Sequence, residues 1–419
     1  MRFKASYQLV LFGILFLLFL SCDREDPVIV KPEKNVFNFT VTESQRTRIN
    51  ESRGEQYEIT DPIPNLELDG NIYRLDRFEI RGDNTLNFTR KSFSINMDQK
   101  ITLINDENIE KKYEEFKLLA MVYDYTYIEN STAWGLFKEV GLWPVYCFFT
   151  EVRLNNHTQG LYFFIEDPVE YFIEQKNASI VIRRGYQNVV KKYYISPSSQ
   201  YEATEYIDRF KKIYSIIKIY SGQQIYDTLS AYMDLDQYFT KLSIEMLIKN
   251  GDYTDEIFFY TKIKNGKEIF GVIPWDVDDI FEDQPHEIGR SWGVGDGFGN
   301  REYNSMNDII NDVGVKLLFS IEDDLDYKIA KDSVLYQHYL GILRTVMTKI
   351  DNTVIDKIFD STFVHLSPFY ENDSIVAQSM YDVDETNYDL FIANLADKRQ
   401  MLKDRRTWIV NELDQQQGR

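Results

Sequence analysis

Apolar and polar positions alternate along much of the first third of the chain and recur at helical spacing along much of the remainder. Leu75-Asp-Arg-Phe-Glu-Ile80 and Ser92-Phe-Ser-Ile-Asn-Met97 each put every second residue on an apolar face, which predicts two strands. Arg81-Gly-Asp-Asn-Thr85 between them is rich in turn formers and predicts a polar hairpin tip. Pro144–Leu154 and Gly160–Ile165 predict a second hairpin, turning at Asn155-Asn156. A third joins the strand Glu256–Ile263 to the apolar run at Gly271 through Asn265-Gly266, a pair suited to a two-residue turn.

Glu107–Leu119 reads as a charged helix, and Ile128–Val140 as a helix ending before Gly141. Tyr201–Tyr220, Leu235–Lys249, Ile309–Ile358 and Leu390–Leu413 also read as helical. Gln284–Asn304 holds five glycines and reads as a long loop. The expected class is α+β, with a β-rich part over 37–170 and a mainly helical part over 171–419.

The N-terminus adds a targeting signal. Two cations in Met1-Arg-Phe-Lys4 precede Leu9–Leu20, twelve residues without a polar side chain. That run is too short to span a bilayer and suits a signal-peptide core over 1–21. Ser21-Cys22 at its end resembles a lipobox, making Cys22 the expected lipidated residue, a tether of 22–36 its continuation, and the cell envelope its location. A plain secretory signal with an incidental cysteine is the alternative. Asp23-Arg-Glu-Asp26 resembles the surface-export signals of some Gram-negative lipoproteins. With Cys22 acylated, Cys147 alone remains, which excludes an intramolecular disulfide; its apolar surroundings predict a buried small hydrophobe.

Formal net charge is −20, which argues against nucleic acid or an anionic membrane surface as partner. Any phosphate site must therefore be locally basic. Aromatic residues make up 15% of the chain, enough for a large core.

The candidate chemistry is acidic. Gly271-Val-Ile-Pro-Trp-Asp-Val-Asp-Asp-Ile-Phe281 sets Asp276, Asp278 and Asp279 at a strand end behind Trp275, and Asp252, Asp255 and Glu256 open the same hairpin. Carboxylates held on strand ends suit hard cations such as Mg²⁺ or Ca²⁺. A strand-end loop, or a helix-end turn at Asn250-Gly-Asp252, is the bland alternative. Lys91, beside Arg81 and Arg90, either reaches phosphate oxygens or is a solvated edge lysine. Glu166 either terminates its strand or is buried with a partner. The four histidines lack paired metal spacing, and neither a Walker motif nor a Gly-x-Ser-x-Gly elbow is present.

Four ordered segments resemble the CotH (spore coat protein H-like) kinase family. Arg81-Gly-Asp-Asn-Thr85 with Arg90-Lys-Ser-Phe93 is similar to its Arg-Gly-x-Ser-Thr and Lys-Lys-Ser-Phe. Asp124 to Gly141, with Asn130, resembles its Asp-x-x-x-x-Arg-Asn segment, and Leu154 to Glu166 its Leu-Asn-Gly hairpin. Asn250-x-Asp252, Phe258-x-Tyr260 and Pro274-Trp-Asp-Val-Asp278 resemble the core motifs. The resemblance implies an atypical, two-lobed kinase-like fold that binds ATP with Mg²⁺ or Mn²⁺.

It implies phosphate contact by Lys91, a nucleotide-covering tip from Arg81 to Thr85, and Glu166 near the adenine. Asp252 becomes the catalytic carboxylate, with Asp276, Asp278 and Glu256 at the metal. Glu256 replaces the family's Asn, Glu129 its Arg, Asp83-Asn84 its x-Ser and Arg90 its first Lys. The expected activity is transfer of the ATP γ-phosphoryl group to a hydroxyl of an exported or surface protein. A pseudokinase serving as an envelope binding or adhesion lipoprotein is the alternative. Glycoside hydrolysis by a carboxylate pair fits the acids but not the motif order.

Overall fold

The computed structural model describes residues 35–105, 107–185, 187–254, 257–286, 288–289, 291–292, 301–379 and 387–417. The signal core, Cys22, Asp255, Glu256 and four of the five glycines of the long loop lie outside the described residues. The class is mixed α+β, as the residue pattern predicts.

The N-terminal strands are β1 (Phe37–Thr40), β2 (Tyr57–Glu58), β3 (Asn65–Leu68), β4 (Asn71–Arg81), β5 (Ser92–Ile104), β6 (Glu110–Leu119), β7 (Cys147–Leu154) and β8 (His157–Glu166). Seven of them close a barrel-like sheet in the order β4-β3-β1-β7-β8-β6-β5, with β5 returning to β4 and β2 added beside β3 on the far edge of β4. Closure leaves few free edges, the recurrent hazard of β structure. Among these pairings β1–β7 is parallel and the rest are antiparallel.

β8 explains why the run Leu161–Ile165 contains no polar residue. Tyr162 and Phe164 point into the barrel, while Leu161, Phe163 and Ile165 join the second hydrophobic core. A strand buried on both faces loses the alternation of a half-buried one. Phe164 stacks on Phe148 at 4.6 Å between ring centroids and meets Phe116 at 5.1 Å.

Glu107–Leu119, expected as a helix, is strand β6 from Glu110 onward. Its Glu and Lys content favours a helix, but Phe116 and Leu118 alternate into the barrel core and pair opposite Glu166 and Phe164 of β8. Long-range pairing overrides local propensity here. Cys147 is half-buried rather than fully buried.

The second sheet comprises β9 (Ile180–Arg184), β10 (Val190–Ile195), β11 (Phe258–Lys264) and β12 (Lys267–Ile273), in the antiparallel order β10-β9-β11-β12. The predicted turn is present: Asn265 and Gly266 have φ of 53° and 74°, the left-handed pair that a tight hairpin requires. Helices Ala203–Ile219, Leu235–Ile248, Ser333–Lys349, Asn352–Tyr370 and Tyr388–Gln417 build the second core around this sheet. Within the predicted segment Ile309–Ile358 the helix is interrupted, with separate helices Met306–Val313 and Asp324–Lys331 before Ser333. Among the described residues no helix is long and apolar enough to cross a membrane.

Phe164→Ala should cost about 3–5 kcal/mol, because it opens a cavity among rings already in contact. A urea titration followed by tyrosine and tryptophan fluorescence checks it; an unchanged midpoint would show that the ring stack contributes nothing.

Candidate functional site

The helix Leu235–Ile248 ends at Lys249, whose left-handed φ of 54° turns the chain into Asn250. Asn250 is fully buried. Its Oδ1 accepts the Asp252 N–H at 3.1 Å, and its Nδ2 donates to the Asp276 carbonyl at 3.0 Å. One side-chain amide thus holds both acidic segments in register. Gly251 donates to the Asp279 carbonyl at 2.8 Å and accepts from His286 N at 3.0 Å. A Cβ at Gly251 would stand 2.9 Å from the His286 ring, so this close approach requires glycine.

The other side of the loop is anchored in the core. Tyr253 donates to the Ser320 carbonyl at 3.1 Å, and Thr254 donates through Oγ1 to Glu322. Arg184, wholly buried, donates to the Thr254 carbonyl and to Tyr214 Oη, and pairs with Asp323 at 3.1 Å. Trp275 packs between Trp143 and Phe258, fixing the approach to Asp276.

These residues open onto a cleft of about 1580 Å³. Asp252, Asp276, Asp278, Asp279 and His286 line it, with Arg77, Arg81, Lys117, Arg183, Lys191 and Lys192 as cations. His286 Nδ1 lies 4.0 Å from an oxygen of both Asp252 and Asp279. One donor atom from each of these three residues falls within a 4.8 Å group, close enough to share a cation. Burial pushes the Asp278 carboxyl well up, and the charge and hydrogen bond of Asp276 push it further. With Asp252, Asp279 and His286 grouped and Asp276 and Asp278 lining the same cleft, the oxygen-rich donor set fits a hard cation such as Mg²⁺ or Mn²⁺.

Asp276 itself has a left-handed φ of 55°, uncommon for a residue with a Cβ, and is held there by Asn250. Lys117, from β6, pairs with Asp167 inside the cleft. Burial lowers the Lys117 ammonium pKa, Asp167 opposes that, and Arg81 adds to it. Burial likewise lowers Arg81, with Arg183 adding to the effect and Asp276 and Asp167 opposing it.

The structure brings Arg81, Thr85, Asp252, Asp276 and Asp278 together in one cleft. It does not bring Lys91 there. Lys91 is 1% exposed and donates through Nζ to the Leu86 carbonyl at 2.6 Å and to that of Phe88, stapling the turn that carries Thr85. Glu166 is buried with partners: it accepts from Tyr113 Oη at 2.9 Å and Tyr146 N at 2.8 Å, and it is Asp167 that reaches the cleft. Glu129 is pushed up by burial and by Asp124, and Lys398 of the last helix pairs with it.

Lys117, Asp167, Arg183, Asp279 and His286 were not singled out as site residues from sequence, although Asp279 was seen in the acidic run. Lys117 sits opposite Ile165 in the strand register, two residues from Asp167, which only the β6–β8 pairing reveals. His286 is thirty-four residues from Asp252 and reaches it through a loop rather than a helical or strand repeat.

Residues 78–409 match the family model described as CotH kinase protein. The inner spore coat protein H of Bacillus subtilis (strain 168) is 24% identical over 238 residues, which cover 52% of this chain and 62% of that protein.

Asn250→Ala should lower stability by about 1–3 kcal/mol, the range for hydrogen bonds lost from a buried amide and its partners. Amide hydrogen exchange should quicken at Asp252 and Asp276–Asp279 while the barrel strands keep their protection. Uniform loosening of barrel and loop alike would contradict a local tie.

Proposed function

The chain belongs to the CotH kinase protein family, and from that premise we propose that it transfers the γ-phosphoryl group of ATP to a hydroxyl of an exported or surface protein. One observation carries the reading: Asn250 ties Asp252 to Asp276 in a cleft that Arg81, Lys117 and Arg183 also line. ATP lies between the barrel and the helical half, as in a two-lobed kinase. Arg81, Lys117 and Arg183 offset its phosphate charge in a chain of net charge −20.

Asp276 and Asp278 would hold the divalent cation, with Glu256 beside them on the family pattern and Asp279 and His286 lining the same cleft. When bound, the cation neutralises phosphate charge and orients the phosphate chain. The acceptor oxygen attacks the γ-phosphorus, the bond to the β–γ bridging oxygen breaks, and ADP leaves. Asp252 takes the hydroxyl proton. Positioning and charge neutralisation supply most of the catalysis in such transfers.

Lys91 supports the Thr85 tip from beneath, and Lys117 takes the phosphate contact. Cys22 carries a lipid anchor and the catalytic part faces outward from the envelope; the spore-coat name of the relative supports a place at a surface. A binding module is the second reading. The enclosure of Lys91 and the crowding of Asp252, Asp276, Asp278 and Asp279 in one cleft favour it.

Thermal unfolding of the full chain with millimolar ATP, with and without Mg²⁺ or Mn²⁺, separates the two. A metal-dependent rise of a few degrees is expected. Asp276→Ala should abolish it. Asp252→Ala should keep it and lose ADP release. Lys117→Ala should weaken the rise, whereas Lys91→Ala should lower the melting temperature without ligand. No rise at millimolar ATP, or an undiminished one in Asp276→Ala, would leave the binding module as the reading.

A further inference from the structure

The helix Leu235–Ile248 encloses an ion pair that the phosphoryl-transfer step does not use. Lys241 and Glu245 stand one turn apart and are both fully buried, with Lys241 Nζ 3.4 Å from Glu245 Oε1. Such a pair is often no more stable than apolar residues of the same volume, because both charges lose their hydration. Among the described residues the ammonium and both carboxylate oxygens lack a hydrogen bond of good geometry, so little of that loss is made good. Burial raises the Glu245 carboxyl pKa, and Lys241 and the Asn250 side chain oppose the rise. Burial lowers the Lys241 ammonium pKa, with Glu245 and Asp326 opposing and Arg184 adding to the fall.

The two charges meet the residues on either side of Asp252. Lys241 Nζ lies over the Tyr253 ring, 3.9 Å from its centroid, where the negative face of the ring attracts a cation. The Tyr253 hydroxyl in turn donates to the Ser320 carbonyl. Glu245 faces Asn250, whose backbone N–H reaches the Glu245 carbonyl at 3.4 Å. A carboxylate only accepts, so the end of the Asn250 amide that favours its charge is the NH₂. That same NH₂ donates to the Asp276 carbonyl, which leaves Oδ1 to accept the Asp252 N–H. Exchanging the two charges would set an ammonium against the amide donor and a carboxylate against the ring face.

Resting on the kinase reading, we propose that Lys241 and Glu245 are positioning residues for Asp252: the pair clamps Asn250 and Tyr253 and selects the orientation of the amide that joins the two acidic segments. Apolar side chains would fill the same space without selecting that orientation. The desolvation of the pair is thus offset by order in the loop rather than by stability of the fold.

The test uses the full chain and two uncharged replacements of the pair. Lys241→Met with Glu245→Leu removes every polar group, whereas Lys241→Met with Glu245→Gln keeps an acceptor toward Asn250. The first should melt at or above the temperature of the parent. Its amide exchange across residues 250–254, read without nucleotide, should nevertheless quicken at least tenfold while the barrel strands keep their protection. The second should stay within about threefold of the parent across the same residues. ADP release with ATP, metal and an acceptor should fall at least tenfold in the first and recover in the second. Unchanged exchange in the first replacement, or equal quickening in both, overturns the proposal. So does a first replacement that fails to fold, since the charges would then serve stability. Absence of ADP release from the parent strikes the kinase reading instead and leaves the exchange result standing.

Discussion

The buried guanidinium of Arg184 is the contact on which the helical half is organised. It joins strand β9 to Tyr214 on the helix Ala203–Ile219, to the Thr254 carbonyl beside the acidic loop, and to Asp323. Asp323 in turn caps the helix Asp324–Lys331 by accepting the Leu325 N–H at 2.9 Å. A buried charge is costly unless paired and fully hydrogen-bonded, so these four elements have little freedom to separate. The loop bearing Asp252 inherits that rigidity through Thr254, and Asn250 passes it to Asp276.

The cleft is a balance between charges of different origin. Asp252, Asp276, Asp278 and Asp279 come from the two ends of the β11–β12 hairpin, and Arg77, Arg81 and Lys117 from barrel strands β4 and β6. Each set alone is unfavourable: the carboxyls of Asp276 and Asp278 crowd one another, and Arg81 disfavours the charge on Lys117. Bringing barrel and hairpin together relieves part of both. The carboxylates of the hairpin gather on one side of the cleft, and Arg81 and Lys117 stand on another.

Hairpins were legible in the sequence because their turn residues have a conformational reason to be there. Asn155-Asn156 and Asn265-Gly266 all take left-handed φ, and both hairpins form where the pattern puts them. The acidic half of the site was legible for the same reason, since its carboxylates flank one hairpin. Lys117 was not, because its neighbour Asp167 is fifty residues away and the segment's composition mimics a helix. Lys91 illustrates the converse. Its sequence position suits a phosphate contact, yet burial directs its ammonium to the carbonyls of its own turn. The Arg-to-Glu departure at Glu129 looked like added negative charge near the cleft, and Lys398, 269 residues later, answers it.

That last pairing bears on the order of events during synthesis. The helix Tyr388–Gln417 supplies Lys398 to Glu129 and to the face of Phe281, and Arg405 to the Met246 carbonyl on the helix that leads to Asn250. A ribosome makes the barrel, both acidic segments and the second sheet well before these cations. A nascent chain therefore carries Glu129 and the Met246 carbonyl without these partners until the helix Tyr388–Gln417 has emerged.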